Sequence, residues 1–76
     1  MNSILQEVLW QDVDSSNIAQ IAFHQDEGKI LVKFHSGVIW AYADCDSQLF
    51  DQFESADSVG KFFLANIKTK AGEKLN

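Results

Sequence analysis

The residues best suited to chemistry are Ser58-Val59-Gly60-Lys61-Phe62-Phe63, at the point where a helical pattern begins. A helix start offers unpaired backbone N–H groups and a partial positive charge, which favour an anion. Gly60 has no side chain, so a ligand can approach the backbone there. Lys61 adds a full charge. Ser58, Gly60 and Lys61 therefore make a candidate site for an anionic small molecule, a nucleotide-like phosphate. The competing reading is packing. Gly60 would let the helix approach the sheet, and Asp57 would cap the first turn. An acid in that place repels a phosphate.

Other reactive groups are few. His24 and His35 are expected to be exposed at strand ends, without metal-ligand spacing. Cys45 lies between Asp44 and Asp46, and neighbouring acids raise a thiol's pKa. An inert thiol is expected. Asp44, Asp46, Asp51, Glu54 and Asp57 gather around Phe50 and Phe53 and read as a solvated helix face. Neither catalysis, nor a cofactor, nor a metal is expected.

These residues must be positioned by a small fold. With 76 residues the chain allows one domain and only a modest core. Self-association would bury more surface. Its lone cysteine forms no internal disulfide and suits a reducing compartment. The amino terminus lacks a signal peptide's basic region and long apolar run, and no stretch is long enough to span a membrane. A cytoplasmic protein is expected. Charge is uneven: residues 1–57 carry ten acids against two lysines, −8, whereas 58–76 carry four lysines against Glu73, +3. The acidic body and the lack of any arginine disfavour RNA and other long nucleic acid.

Alternation marks three strands. Ala19, Ile21 and Phe23 share one face of the first; Ile30, Val32 and Phe34 share one face of the second. A loop over Gln25–Gly28 sets Phe23 opposite Ile30 and Ile21 opposite Val32. A three-residue loop, His35-Ser36-Gly37, with Gly37 in a left-handed bulge, sets Phe34 opposite Val38, Val32 opposite Trp40 and Ile30 opposite Tyr42. A two-residue loop would put Trp40 opposite Lys33. Helical spacing follows at Leu49, Phe50, Phe53 and Ala56 behind Asp46 or Ser47, and again at Val59, Phe62, Phe63, Asn66 and Ile67. The expected fold is α+β: a three-stranded antiparallel β-meander with two short helices packed on one face. Residues near the amino terminus fit either a short helix behind Ser3, through Ile4, Leu5, Val8 and Leu9, or an edge strand over 7–13. Residues 71–76, AGEKLN, read as a frayed tail.

The outer sheet face carries Ile18, Ala22, Leu31, Ile39, Ala41 and Ala43, too much apolar surface for open water. Either it is an interface, with Leu31, Ile39 and Trp10 as anchors, or the amino-terminal segment folds over it.

The ordered set Ser15-Ser16-Asn17-Ile18, Leu31 to Phe34 leading into Ser36-Gly37, the Trp40/Tyr42 pair, and Ser58-x-Gly60-x-Phe62-Phe63-x-x-x-Ile67 resembles the KTSC domain family. That domain is named for its occurrence at the carboxyl end of some lysyl-tRNA synthetases and also occurs as small stand-alone proteins of bacteria and phages. The resemblance spans roughly residues 13–70. Family members usually carry tyrosine at the position of Trp40, asparagine at that of Leu64, and more arginine after the last helix. The family pattern implies that Ser16 and Asn17 lie near Ser58–Lys61 and join the ligand site. The expected function is a non-enzymatic, homo-oligomeric binder of a phosphate-bearing ligand, able to sequester a nucleotide signal if phage-encoded. The alternatives are a protein-interaction module using the outer face and, from the synthetase association, a weak RNA-binding accessory domain.

Overall fold

The computed structural model describes residues 7–76. Five strands form one antiparallel sheet in chain order: β1 (Gln11–Asp12), β2 (Ile18–His24), β3 (Lys29–Phe34), β4 (Ile39–Tyr42) and β5 (Gly72–Lys74). Between β4 and β5 come α1 (Ser47–Glu54) and α2 (Val59–Phe62), and α2 runs on as a π-helical turn over Phe63–Ile67. Secondary structure is thus α+β, as the pattern predicts, but the sheet has five strands rather than three.

The central register matches the alternation. Ile21 pairs with Val32, Phe23 with Ile30, Val32 with Trp40, and Ile30 with Tyr42. Both hairpins turn on glycines in the left-handed region, Gly28 at φ 62° and Gly37 at φ 95°, where a Cβ is strained. Phe34 N–H donates to the Val38 carbonyl at 2.9 Å, closing the three-residue loop. One detail departs from strict alternation. A bulge between Ile18 and Gln20 sets Ile18 opposite Phe34. The extra residue turns Ile18 inward, and it joins the main core instead of the outer face.

The two added strands sit at the sheet edges, where local pattern says least. β1 has two residues and β5 three, all polar or glycine. Their partners' backbones define them, not an apolar rhythm of their own. β1 fulfils the edge-strand reading of the amino-terminal segment; the helix proposed behind Ser3 lies partly outside the described residues, and Val8 and Leu9 are not helical. β5 corrects the frayed-tail reading. Leu75 N–H donates to the Ile39 carbonyl at 2.8 Å, and Asn76 clasps both the Ile39 N–H (2.9 Å) and the Gly37 carbonyl (2.8 Å). The tail holds because β4 would otherwise expose a row of unpaired backbone groups.

The inner sheet face packs on Phe53 from α1 and on Val59, Phe63 and Ile67 from the second helical run. Asp46 caps α1 by accepting from Leu49 N–H at 2.8 Å. In the π turn, Lys68 N–H bonds to the Phe63 carbonyl five residues back at 2.8 Å. That shift of phase buries Phe63 and Ile67 and leaves Asn66 outside, where simple α-helical spacing had grouped Asn66 with them. On the outer face, Val8, Ala22, Leu31 and Ala41 make a smaller cluster covered by Trp10 and Leu75.

Gly72 is the tightest point of this closure. A Cβ there would lie 2.7 Å from Cε1 of Tyr42 and 3.2 Å from Cε3 of Trp40. Valine is a better strand former than glycine, so propensity and clash pull opposite ways. Gly72→Val is expected to lower stability by roughly 1–3 kcal/mol, read from the midpoint of urea unfolding. An unchanged or higher midpoint would mean that the Tyr42 ring yields freely.

Candidate functional site

The segment before β2 is pinned by its own side chains. Ser15 Oγ accepts from the N–H groups of Asn17 and Ile18, each at 3.3 Å. His35 Nε2 lies 2.8 Å from the Ser15 carbonyl. A carbonyl only accepts, so Nε2 carries the proton and donates. His35 N–H also donates to the Asn17 carbonyl at 2.9 Å. Loop and hairpin turn are thereby tied together, and His35 is exposed as expected.

Opposite this loop stands the start of α2. Ser58 caps it, its Oγ accepting from Lys61 N–H at 3.2 Å. Asp57 therefore does not cap the helix, contrary to the sequence reading. The serine hydroxyl is one residue closer to the turn and reaches the N–H three positions on. A Cβ placed on Gly60 would sit 3.5 Å from Ser15 Oγ. That is ordinary van der Waals contact, so the two segments face each other without needing glycine for clearance.

All five residues read from the sequence as ligand-binding, Ser16, Asn17, Ser58, Gly60 and Lys61, line one groove of about 1180 Å³. Its aromatic lining is Phe34, Trp40, Tyr42 and Phe63. Trp40 and Tyr42 lie nearly parallel, ring centroids 6.2 Å apart at 19°. Tyr42 meets Phe63 edge-on at 5.4 Å. Lys61, Lys68 and Lys70 oppose Asp14 and Asp57 around the rim, a net +1 of those five in a chain of net −5. Lys70 is partly engaged, its Nζ donating to the Asp44 carbonyl at 2.8 Å. The α2 helix has only four residues before the π turn, so the lysines, not a helix dipole, supply most of the positive field.

Sequence reasoning missed Ser15, Trp40, Tyr42, Lys68 and Lys70 as parts of this groove. Ser15 was legible only as one of two adjacent serines. Trp40 and Tyr42 share a strand face with core residues, and nothing local says that they also line a groove. In the sequence, Lys68 and Lys70 register only as part of the +3 charge of residues 58–76.

The other candidates fall elsewhere. Leu31 is fully buried and Ile39 is only 8% exposed, so the structure corrects their reading as interface anchors. Trp10 packs on the outer cluster with Lys33 Nζ 5.4 Å from its ring centroid. The amino-terminal segment and Leu75 cover that face, the second of the two readings given above. His24 is buried, not exposed. Its Nδ1 accepts from Glu27 N–H at 3.2 Å and its Nε2 donates to Glu7 at 2.7 Å. Turn and amino-terminal segment enclose it, which the strand pattern alone does not reveal. Cys45 is buried and free, and burial raises its thiol pKa above the ordinary value. Among the described residues no cluster of His, Cys, Asp or Glu is arranged to hold a metal ion, and no helix is long and apolar enough to cross a membrane.

A five-stranded meander carrying two helical segments on one face, with a groove beside them, defines a small α+β domain. The chain belongs to the KTSC domain family, whose family model matches residues 14–70. Among solved structures it is similar to a KTSC domain protein from Yersinia pestis, with a TM-score of 0.83 and 28% sequence identity over 91% of this chain and 99% of that one. Nothing among curated proteins matches it.

Two outcomes test this geometry. Gly60 is helical and a Cβ meets only ordinary contact, so Gly60→Ala is expected to stabilise the fold by roughly 0.5–1 kcal/mol, measured by thermal or urea unfolding. Destabilisation would return Gly60 to a packing role. For Cys45, a thiol-reactive chromogenic disulfide at neutral pH should give no signal from the native protein and one thiol per chain after unfolding. Fast native reaction would contradict its burial.

Proposed function

We propose that this chain is a non-enzymatic binding module for a phosphate-bearing, nucleotide-like ligand, held in the groove between the Ser15–Asn17 loop and the start of α2. One observation carries the reading: the five residues picked for anion chemistry, from two distant segments, line the same groove as Lys68, Lys70 and four aromatic side chains. Phosphate attraction needs positive charge close to backbone and hydroxyl donors. A ring attached to that phosphate needs an apolar platform. This groove supplies both.

Binding without turnover fits the remaining groups. The His35 ring is tied to the Ser15 carbonyl. Cys45 does not line the groove, and the acids that do, Asp14 and Asp57, are exposed. Acid–base work calls for tuned, positioned groups. If phage-encoded, such a binder would act by sequestering a nucleotide signal. Self-association belongs to the same proposal, since a chain this small gains stability from burying further surface.

Thermal shift with nucleoside phosphates is the direct test. Ligand at ten times its Kd stabilises the folded state by roughly 1.4 kcal/mol, a rise of roughly 4–8 °C per kcal/mol in a domain of this size. Lys61→Glu, at an exposed rim position, should abolish the shift while leaving the unliganded Tm within a few degrees. Native mass spectrometry of gently purified protein from its own host reports the retained mass and the oligomer together. A bare monomer, with no shift for any nucleotide, would sink the reading.

A further inference from the structure

Tyr42 is 94% buried, being 6% exposed, yet its hydroxyl has no hydrogen-bond partner among the described residues. A sealed phenol oxygen without a partner would cost stability, and such atoms are rare in folded proteins. No buried side-chain oxygen is left in that state here. The Tyr42 hydroxyl therefore keeps some solvent contact, and Tyr42 lines the groove. Burial holds its pKa above the ordinary phenol value, so it is a hydrogen-bond donor at neutral pH.

The surroundings of that hydroxyl are made for a flat, apolar body. Trp40 is only half-buried and lies nearly parallel to Tyr42. Gly72, opposite Tyr42 in the sheet, lets both rings lie close against the edge strand. On the helical side, Leu64 is 56% exposed and lines the same groove as the two rings. A bare phosphate gains nothing from aromatic rings and leucine.

We propose that Trp40, Tyr42 and Leu64 form a ring-binding subsite in this groove, which takes the nucleobase of a nucleotide: Trp40 supplies the stacking face and the Tyr42 hydroxyl donates to an acceptor on the base edge. The inference rests on the phosphate reading above, since Lys61 and its neighbours hold the other part of the same ligand. Base–aromatic stacking tolerates every base, whereas a single donor at the ring edge discriminates among them. Tyr42 is thus the specificity-determining residue of the pair.

The test uses Trp10→Phe protein, which leaves Trp40 as the sole tryptophan. The four ribonucleosides, their mono- and triphosphates, and inorganic pyrophosphate are titrated by calorimetry and by tryptophan emission. At least one nucleotide is expected to quench Trp40 and to bind roughly tenfold or more tighter than pyrophosphate, the scale of one base stacked on an aromatic face. Tyr42→Phe, which removes only the oxygen, should weaken that nucleotide roughly threefold to tenfold and leave pyrophosphate unchanged. Equal binding of pyrophosphate and every nucleotide, or no effect of Tyr42→Phe on nucleotide affinity, would overturn the subsite and leave the phosphate reading standing. A nucleoside that binds as tightly as its phosphates, with Trp40 quenched, would support the subsite and overturn the phosphate reading. Silence from every probe would overturn both.

Discussion

β3 is buried on both of its faces, and the rest of the molecule follows from that constraint. Ile30, Leu31 and Val32 are consecutive and none keeps any solvent exposure. Successive strand residues point to opposite sides, so a strand of this kind needs cover above and below. In a chain this short, few segments remain to supply it. The helices take the inner side. The two chain ends take the outer side, Val8 and Trp10 from one and Leu75 from the other. The apolar outer face that reads as an interface in the sequence is thus the second half of the chain's own core.

The groove is a consequence of how the inner cover is made. Two short helical runs must span a sheet that reaches from β1 to β5. Val59, Phe63 and Ile67, each four residues after the last, hold the second run against the middle of the sheet. The π turn places its exit over the β4 side, and the chain then drops to the edge as β5. Between helix and edge strand, Tyr42 is buried against Phe63 of the helical run, while Trp40 beside it stays half-buried. π turns often occur where a helix gives up regularity for a site, and here the turn carries both Leu64 and the approach to Lys68.

Two small polar devices set the far wall. Ser15 fixes its loop by accepting two backbone N–H groups, and His35 ties that loop to the β3–β4 turn. Ser58 closes the first turn of α2. Each satisfies backbone groups that would otherwise need water, and together they hold Ser16, Asn17, Gly60 and Lys61 around one opening. Preorganised donors cost a ligand less on binding than mobile ones.

Ser16 and Asn17 join the groove's polar group only through the family resemblance. The sequence by itself determined the central strand register, both glycine turns, the two helices and the polar helix start at Ser58, Gly60 and Lys61. These are matters of period and of local backbone chemistry: alternation at Ile21, Phe23, Ile30 and Val32, left-handed φ at Gly28 and Gly37, a cap at Asp46. Tertiary structure alone decided the rest. β1 and β5 are strands because β2 and β4 offer unpaired edges, not because their own residues alternate. Ile18 faces inward because a bulge adds one residue to the count. His24 is buried because a distant segment carries Glu7 to it. Trp40 and Tyr42 line the groove because the packed helical run covers Tyr42 with Phe63 and leaves Trp40 half-buried. Period in a sequence reports which face a residue takes; only the packed chain decides how much of that face is covered.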